Sequence, residues 1–237
     1  VENSYKNITR MCGYARKYQA EGILNTDWGD CGHINQPDFS LPGLIYGAVF
    51  SWGEDADSFE KLNEQISRLA YGDRSGKFVS YMAKTAECSI FDWWDANVVY
   101  EEKVLGHPNN RNALFDARIQ DATKRAAAHE TLAALKKELK KTAREMEESC
   151  RYLVSTLELT MDAIDIWNET GARLCDIEHG KEKDEAACAA LAGRLEAWFM
   201  KYKASWRSIS KEGDLHHIAE IVFWYADVLR GRRVYGK

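Results

Sequence analysis

The sequence has only three prolines and lacks any apolar run that approaches the ~20 residues needed to span a bilayer. These absences exclude a proline-rich or collagen-like chain and a transmembrane helix. A basic excess is also lacking, since the net charge at pH 7 is −5, and this argues against a nucleic-acid partner, which requires a basic face. No cysteine pair has C-x-x-C spacing, so we expect no zinc site, and we expect no cofactor.

The remaining composition is that of a folded protein. Hydrophobic residues make up 45% and charged residues 29% of 237 residues, which suits one large domain or two small ones with a packed core. The chain begins at Val1 rather than Met, so we expect a processed N-terminus or a piece of a longer protein. Its compartment, whether periplasmic, secreted or cytoplasmic, depends on a signal outside this chain.

The first seventy residues alternate between element types. Helical spacing predicts helices over residues 4–20, 44–50 and 55–71, with Gly72 as the last C-cap. Ile23–Thr26 predicts a short buried strand, and a loop follows it to Pro37. This alternation is typical of a parallel α/β sheet. Because one or two strands cannot form such a sheet, we expect the last portion of a βα-repeat domain whose earlier repeats are absent.

From about residue 74 the pattern is helical. It predicts helices over 77–89, 184–207 and 213–230, and Gly213–Asp214 supplies the turn and N-cap of the last one. Residues 111–170 contain neither Gly nor Pro, and one straight helix over that span would be roughly 90 Å long. We therefore predict two antiparallel helices that break near residues 141–149, with a capping box from Thr142 to Glu145, in a three- or four-helix bundle.

Two stretches carry residues suited to binding chemistry. The loop after the predicted strand contains Trp28 and Asp30, and in a (β/α) barrel this position is the rim on which active sites are built. An indole can cover the apolar face of a pyranose, and a carboxylate can accept hydroxyl hydrogen bonds worth ~1.5–3 kcal/mol each. The alternative is a tight turn in which Trp28 fills a core. The second stretch is Tyr46–Glu54. The alternative to a binding role for it is an apolar helix or strand that ends at glycine, with Trp52 in the core.

The stretch from Asn25 to Asp30, followed by Trp52-Gly53-Glu54, resembles the closing part of the catalytic barrel of family 20 glycoside hydrolases, the β-N-acetylhexosaminidases. It is most similar to the bacterial branch whose barrel is followed by a long helical domain. The resemblance covers about residues 10–73 by motif and residues 74–237 only by helical character. It implies a mostly α chain, in which residues 1–73 are the remnant of a (β/α)8 barrel and residues 74–237 form a helical bundle domain.

The resemblance also implies the substrate and its binding residues. In that family the seventh strand ends in an aromatic residue and an Asp that bind the sugar, and Trp28 and Asp30 match them. The eighth strand carries a Trp-Gly-Glu that lines the same pocket, and Trp52 and Glu54 match it. These four residues are therefore expected to bind a terminal N-acetylhexosamine. We call them the sugar site.

The family's catalytic pair is an Asp-Glu on the fourth strand. Its Glu is the general acid, and its Asp orients the substrate's acetamido group in a retaining, substrate-assisted mechanism. The only Asp-Glu dipeptide here is Asp184-Glu185, which suits a helix start. We therefore expect no catalytic residue in this chain, and no activity from the chain alone. The alternative is a non-catalytic helical interaction or oligomerisation module, and assembly as a homo-oligomer is left open.

Two features of the helical region also carry alternatives. Cys175 and Cys188 flank a charged loop and form either a disulfide, worth ~3 kcal/mol, or two buried thiols. The aromatic residues of this region form either a carbohydrate platform or, as their helical spacing favours, part of the core. They are Trp93, Trp94, Trp198, Phe199, Trp206, Phe223, Trp224 and Tyr225.

Overall fold

The computed structural model describes residues 1–28, 34–53, 57–108, 117–213 and 215–233, and over these ranges the chain is mostly helical, as predicted. The α-helices in chain order are α1 (Glu2–Lys17), α2 (Leu41–Trp52), α3 (Phe59–Leu69), α4 (Phe78–Glu87), α5 (Trp93–Tyr100), α6 (Ala117–Gln120), α7 (Ala122–Thr142), α8 (Tyr152–Glu178), α9 (Glu185–Ile209) and α10 (Leu215–Leu229). Shorter 3-10 helices cover Pro37–Ser40 and Glu148–Cys150, and a π-helix covers Glu101–Leu105. None of the described helices is both long and apolar enough to cross a membrane.

The strand predicted over Ile23–Thr26 is wrong. Residues 22–28 adopt neither helix nor strand, and the side chain of Leu24 is 87% exposed instead of buried. A strand needs neighbouring strands to bond its backbone N–H and C=O groups. The described residues supply no other strand, so this apolar stretch has nothing to pair with.

The predicted break in the long helical stretch is confirmed, since α7 ends at Thr142 and α8 begins at Tyr152. The capping box predicted there is wrong. Thr142 is the last residue of α7 rather than an N-cap, and its carbonyl accepts a hydrogen bond from the Glu145 amide at 2.8 Å. The same residue types can begin a helix or follow one, because the local pattern does not give the direction of the chain.

The described residues form two compact units. The first unit is drawn from Val1–Trp28, Asn35–Glu87 and Ala134–Leu157, and the second from Cys88–Ala133 and Glu158–Lys237 together with Ile34. Helices α7 and α8 contribute residues to both. This grouping describes packing and not the origin of each segment, so the domain division at residue 73 stays a prediction.

An aromatic cluster forms the centre of the first unit. The Tyr5 ring of α1 packs edge-to-face on Tyr46 and Phe50 of α2, with ring centroids 5.4 and 5.3 Å apart, and on Phe59 of α3 at 5.0 Å. Tyr46 is fully buried and its hydroxyl donates to Asn63 Oδ1. Helix α2 therefore directs Tyr46 and Phe50 into the core.

The chain near Asp73 closes the first unit by pairing with a distant segment. Asp73 and Met146 form an isolated antiparallel bridge, and backbone hydrogen bonds of 3.1 and 2.9 Å flank it between residues 72–74 and 145–147. Gly72 has a φ of +59°, which L side chains rarely adopt. The prediction that Gly72 caps α3 is wrong, because α3 ends at Leu69 and the glycine instead serves this pairing.

The buried carboxylate of Asp73 anchors the start of α4. It accepts hydrogen bonds from the amide and hydroxyl of Ser75 at 2.9 and 2.7 Å, and from the amides of Lys77 and Phe78 at 2.7 and 2.8 Å. The first amides of a helix have no partner within the helix. Asp73 supplies that partner while it is itself fully buried.

The core of the second unit contains a chain of ring contacts. Trp93 packs on Trp167 at 5.5 Å, Trp167 on Tyr225 at 5.1 Å, Tyr225 on Trp224 at 4.8 Å, and Trp224 on Tyr100 at 5.7 Å between ring centroids. These contacts join α5, α8 and α10. The second unit therefore has its own hydrophobic core, consistent with the predicted helical bundle.

Candidate functional site

The two tryptophans of the sugar site lie at the surface of the first unit. Trp28 is 71% exposed and Trp52 is 91% exposed. The alternative in which these indoles fill a core is therefore wrong. The two carboxylate residues of the predicted site, Asp30 and Glu54, lie outside the described residues.

The segment that carries Trp28 is tied to α2. The side-chain amide of Asn25 donates to the carbonyl oxygen of Gly43 at 3.0 Å. One turn further along α2, a Cβ added to Gly47 would lie 2.2 Å from Asn25 Nδ2, so the glycine leaves the room that Asn25 occupies. Trp28 Nε1 donates to Thr26 Oγ1 at 2.8 Å. The indole is therefore hydrogen-bonded within a segment that contacts a helix.

The other tryptophan lies where α2 ends. Gly53 follows Trp52 in an extended conformation as the C-cap, and its amide donates to the Val49 carbonyl at 2.9 Å. The Arg16 guanidinium, from the last turn of α1, donates to the carbonyl oxygens of Phe50 and, at 2.5 Å, of Gly53. A cation at a helix C-terminus is favourable because it complements the helix dipole and the unpaired carbonyls.

An open groove of about 500 Å³ lies between α1 and residues 20–26. Among the described residues that line it, none is charged: apolar side chains such as Met11 and Ile23 alternate with Asn7, Tyr14 and Thr26. Amides and hydroxyls beside apolar surface suit a neutral ligand rather than an ion.

Burial keeps Tyr46, on the buried side of α2, in its neutral form. Desolvation raises the pKa of Tyr46 far above its ordinary value because the charged phenolate is disfavoured in an apolar environment. The hydroxyl therefore stays protonated and continues to donate to Asn63 Oδ1. This hydrogen bond joins α3 to α2, the helix that carries Trp52.

The Asp-Glu dipeptide of the helical region has a structural role. The Asp184 side chain accepts the Ala187 amide at 3.0 Å and caps α9, and Glu185 lies in its first turn. The prediction of a helix start is confirmed. Across the described residues, no group of three or more His, Cys, Asp or Glu side chains is arranged to hold a metal ion.

The other sequence candidates of the helical region belong mainly to the core. Trp198, Phe199, Trp224 and Tyr225 are buried, whereas Trp94 and Phe223 are about half exposed. Cys175 and Cys188 are both buried thiols and not a disulfide. Burial raises the pKa of the Cys188 thiol, so it is a poor nucleophile.

The residues that support the two tryptophans carry little signal in the sequence. Arg16 contacts carbonyls 34 and 37 positions away, and no local pattern encodes such a contact. Asn25 and Gly47 contained a weak signal, because a glycine inside an apolar helix often marks a close approach of another part of the chain.

Comparisons of this chain with protein-family models, curated proteins and solved structures found no match. The function of the site is therefore argued from its geometry and from the motif resemblance.

Proposed function

We propose that this chain is the C-terminal part of a glycoside hydrolase that removes terminal N-acetylhexosamine residues with retention, using the substrate's acetamido group. The catalytic Asp-Glu pair lies outside this chain. Residues 1–73 are the last elements of a (β/α)8 barrel, and residues 74–237 are the appended helical bundle. The observation that carries the proposal is the exposure of Trp28 and Trp52.

Folded proteins bury tryptophan because each large ring removes about 150–250 Å² of surface from water. Of the eight tryptophans, the two most exposed are Trp28 and Trp52, which are the two that the motif assigns to the sugar pocket. The third most exposed, Trp94, is 46% exposed. This coincidence supports a role for both indoles against a ligand, since neither contributes to the core of this chain.

Two apolar side chains near Trp28 also lie at the surface, since Ile23 and Leu24 are 38% and 87% exposed. In the proposed longer enzyme, neighbouring elements of the closed barrel would cover both side chains.

The residues of this chain supply binding and not proton transfer. Trp28 and Trp52 provide apolar walls for the C–H face of the sugar ring. The carboxylates of Asp30 and Glu54 accept hydrogen bonds from its hydroxyls, and such charge-assisted bonds restrict the ring to one orientation. The general acid and the group that orients the acetamide are supplied by earlier strands, so binding by this chain does not lead to hydrolysis.

Hydrolysis of a chromogenic N-acetylhexosaminide tests the proposal. The chain alone should show no turnover, and the longer enzyme that contains it should be active. In that enzyme Asp30→Ala and Trp28→Ala should each cost ~2–4 kcal/mol of transition-state stabilisation, or roughly 30- to 900-fold in kcat/KM. The matched control Trp94→Ala should keep the full rate. Turnover by the chain alone, or a full rate in Asp30→Ala, would overturn the assignment.

The exposed apolar side chains near the groove favour a second candidate, a non-catalytic interaction or oligomerisation module. Met11 and Tyr14 are each 50% exposed and Leu24 is 87% exposed, and grouped apolar surface often marks a protein interface. Sedimentation of the chain over a range of concentrations separates the two. Self-association that Leu24→Asp abolishes would favour the module, whereas a monomer at all concentrations would remove its support.

A further inference from the structure

We propose that Arg16 and Asn25 are positioning residues for the two indoles of the sugar site. Asn25 fixes Trp28, Arg16 fixes Trp52, and both act through the backbone of α2. The proposal rests on the proposed function for the identity of the ligand, but its geometry stands on the contacts alone.

The two indoles cannot be positioned by their own packing. Trp28 and Trp52 expose 71% and 91% of their surface, so few neighbouring atoms restrict either ring. A binding site nevertheless requires its contact groups to be held in place before the ligand arrives. The restriction must therefore come from the backbone that carries each residue and from what holds that backbone.

The backbone that carries Trp28 is held first at Asn25. Its side-chain amide bonds to the Gly43 carbonyl at 3.0 Å, and it occupies the space beside Gly47 that a Cβ would fill. The next residue, Thr26, accepts the indole hydrogen bond at 2.8 Å. A continuous path therefore joins α2, Asn25, Thr26 and the Trp28 ring.

For Trp52 the restriction is the clamp made by Arg16. The last carbonyls of a helix have no donor within the helix, and the Arg16 guanidinium bonds the carbonyls of Phe50 and Gly53. These two residues flank Trp52 in the sequence. The clamp therefore holds the backbone on both sides of the indole and prevents the last turn of α2 from fraying.

The contacts of Asn25 and of Arg16 are both made to the same helix, α2. Asn25 contacts the first half of α2, and Arg16 contacts its last turn. An α-helix of this length keeps its ends at a fixed separation and orientation. Trp28 and Trp52 therefore share one support, helix α2.

Fluorine NMR of the full 237-residue chain labelled with 5-fluorotryptophan tests the geometry, with Trp28 and Trp52 signals assigned from Trp→Phe variants. Asn25→Asp keeps the size of the side chain but removes its donor, and should shift the Trp28 signal. Arg16→Gln should shift the Trp52 signal, and Arg16→Lys, which keeps a charged donor, should restore part of that shift. The matched control is Arg10→Gln on the same helix, where the exposed Arg10 side chain donates to Asn7 Oδ1 at 3.0 Å; it should shift neither signal.

A titration with N-acetylglucosamine, followed by the same two signals, tests the role in binding. We expect Asn25→Asp and Arg16→Gln to raise the Kd at least tenfold, and Arg10→Gln to leave it unchanged, with circular dichroism reporting an intact helical fold in each. If Arg16→Gln fails to fold, Arg16→Lys carries the comparison for Arg16, and if Asn25→Asp fails to fold, Asn25→Ser carries it for Asn25.

The outcomes separate this inference from the proposed function. If the sugar moves neither signal in the unaltered chain, the sugar assignment loses its support, and the shifts of the ligand-free variants alone decide the positioning role. If those variants leave both signals unmoved, or move them without changing a measurable Kd, the positioning role is wrong.

Discussion

In the first unit, Trp28 and Trp52 are 71% and 91% exposed, whereas in the second unit Trp167, Trp198 and Trp224 are no more than 5% exposed. The first unit builds its core from tyrosine and phenylalanine rings and adds polar ties such as Asp73. The second unit places these three tryptophans inside. Because large rings stabilise whatever covers them, the difference indicates that the second unit draws stability from these buried tryptophans, while the first leaves its largest rings available to a ligand or to more of the protein.

The variant with the largest expected effect is Trp167→Ala, which removes one ring from the series of ring contacts in the core of the second unit. The change removes contacts with Trp93 and Tyr225 and leaves a cavity, so the free energy of unfolding should fall by ~3–5 kcal/mol. The matched change Trp52→Ala removes an indole that is 91% exposed and should alter it by less than ~0.5 kcal/mol. Urea unfolding followed by circular dichroism measures both. Equal losses would break the comparison.

A second test examines whether polar ties replace tryptophan packing in the first unit. Asp73→Ala leaves the buried amide of Phe78 and the partly buried amide of Lys77 without their acceptor and should cost ~2–4 kcal/mol. Ser75→Ala removes one donor to the same carboxylate and should cost about 1 kcal/mol. Thermal and urea melts of the two variants give the difference. A loss in Asp73→Ala no greater than that in Ser75→Ala would contradict the anchoring role.

A third test concerns how closely the second unit is packed. A Cβ at Gly171 in α8 would lie 2.5 Å from Phe91 Cγ and 2.6 Å from Phe91 Cβ, so Gly171→Ala forces the buried ring to move and should cost ~1–3 kcal/mol. Gly193 in α9 has open space around it, so Gly193→Ala should instead stabilise by up to ~1 kcal/mol. Opposite shifts in Tm are expected, and a Tm that rises in both variants would show that the contact at Gly171 can relax.

The smallest effect concerns an ion pair at the surface of the second unit. Arg230 bonds Glu196 at 2.5 and 2.7 Å, and this hydrogen-bonded cation lowers the pKa of the Glu196 carboxyl. A lowered pKa in the folded state gives stability that is present above the unfolded pKa of about 4.3 and is lost as the pH falls through the folded value.

Because the pair is partly exposed, Glu196→Gln should cost less than ~1 kcal/mol at pH 7, and the difference from the unaltered chain should shrink as the pH falls below about 4.3. Melting curves between pH 7 and pH 3 measure it. In contrast, Glu212→Gln at the more exposed pair with Arg207 should leave Tm unchanged at every pH. A cost in Glu196→Gln that does not shrink between pH 7 and pH 3 would exclude the ionic origin.

The sequence predicted those elements whose stability is local. Helix α9 was expected over 184–207 and occupies Glu185–Ile209, since its apolar spacing and its cap at Asp184 are both local features. The strand at Ile23–Thr26 failed for the opposite reason: an apolar run does not specify whether a partner is present to pair with it. The exposure of Trp28 excludes only the alternative in which it fills a core. The Arg16 clamp depends on a contact between residues far apart in the chain, which no periodicity contains.

The bridge between Asp73 and Met146 has a consequence for the order in which the molecule is made. Ribosomes add roughly 5–20 residues per second, so Met146 emerges roughly 4–15 s after Asp73 at that rate. Until then, the segment around Gly72 has no partner, and the first unit cannot close. Helices α1–α3 of the nascent chain therefore lack this closing contact through the interval, and chaperones and proteases have access to them before residues 134–157 are made.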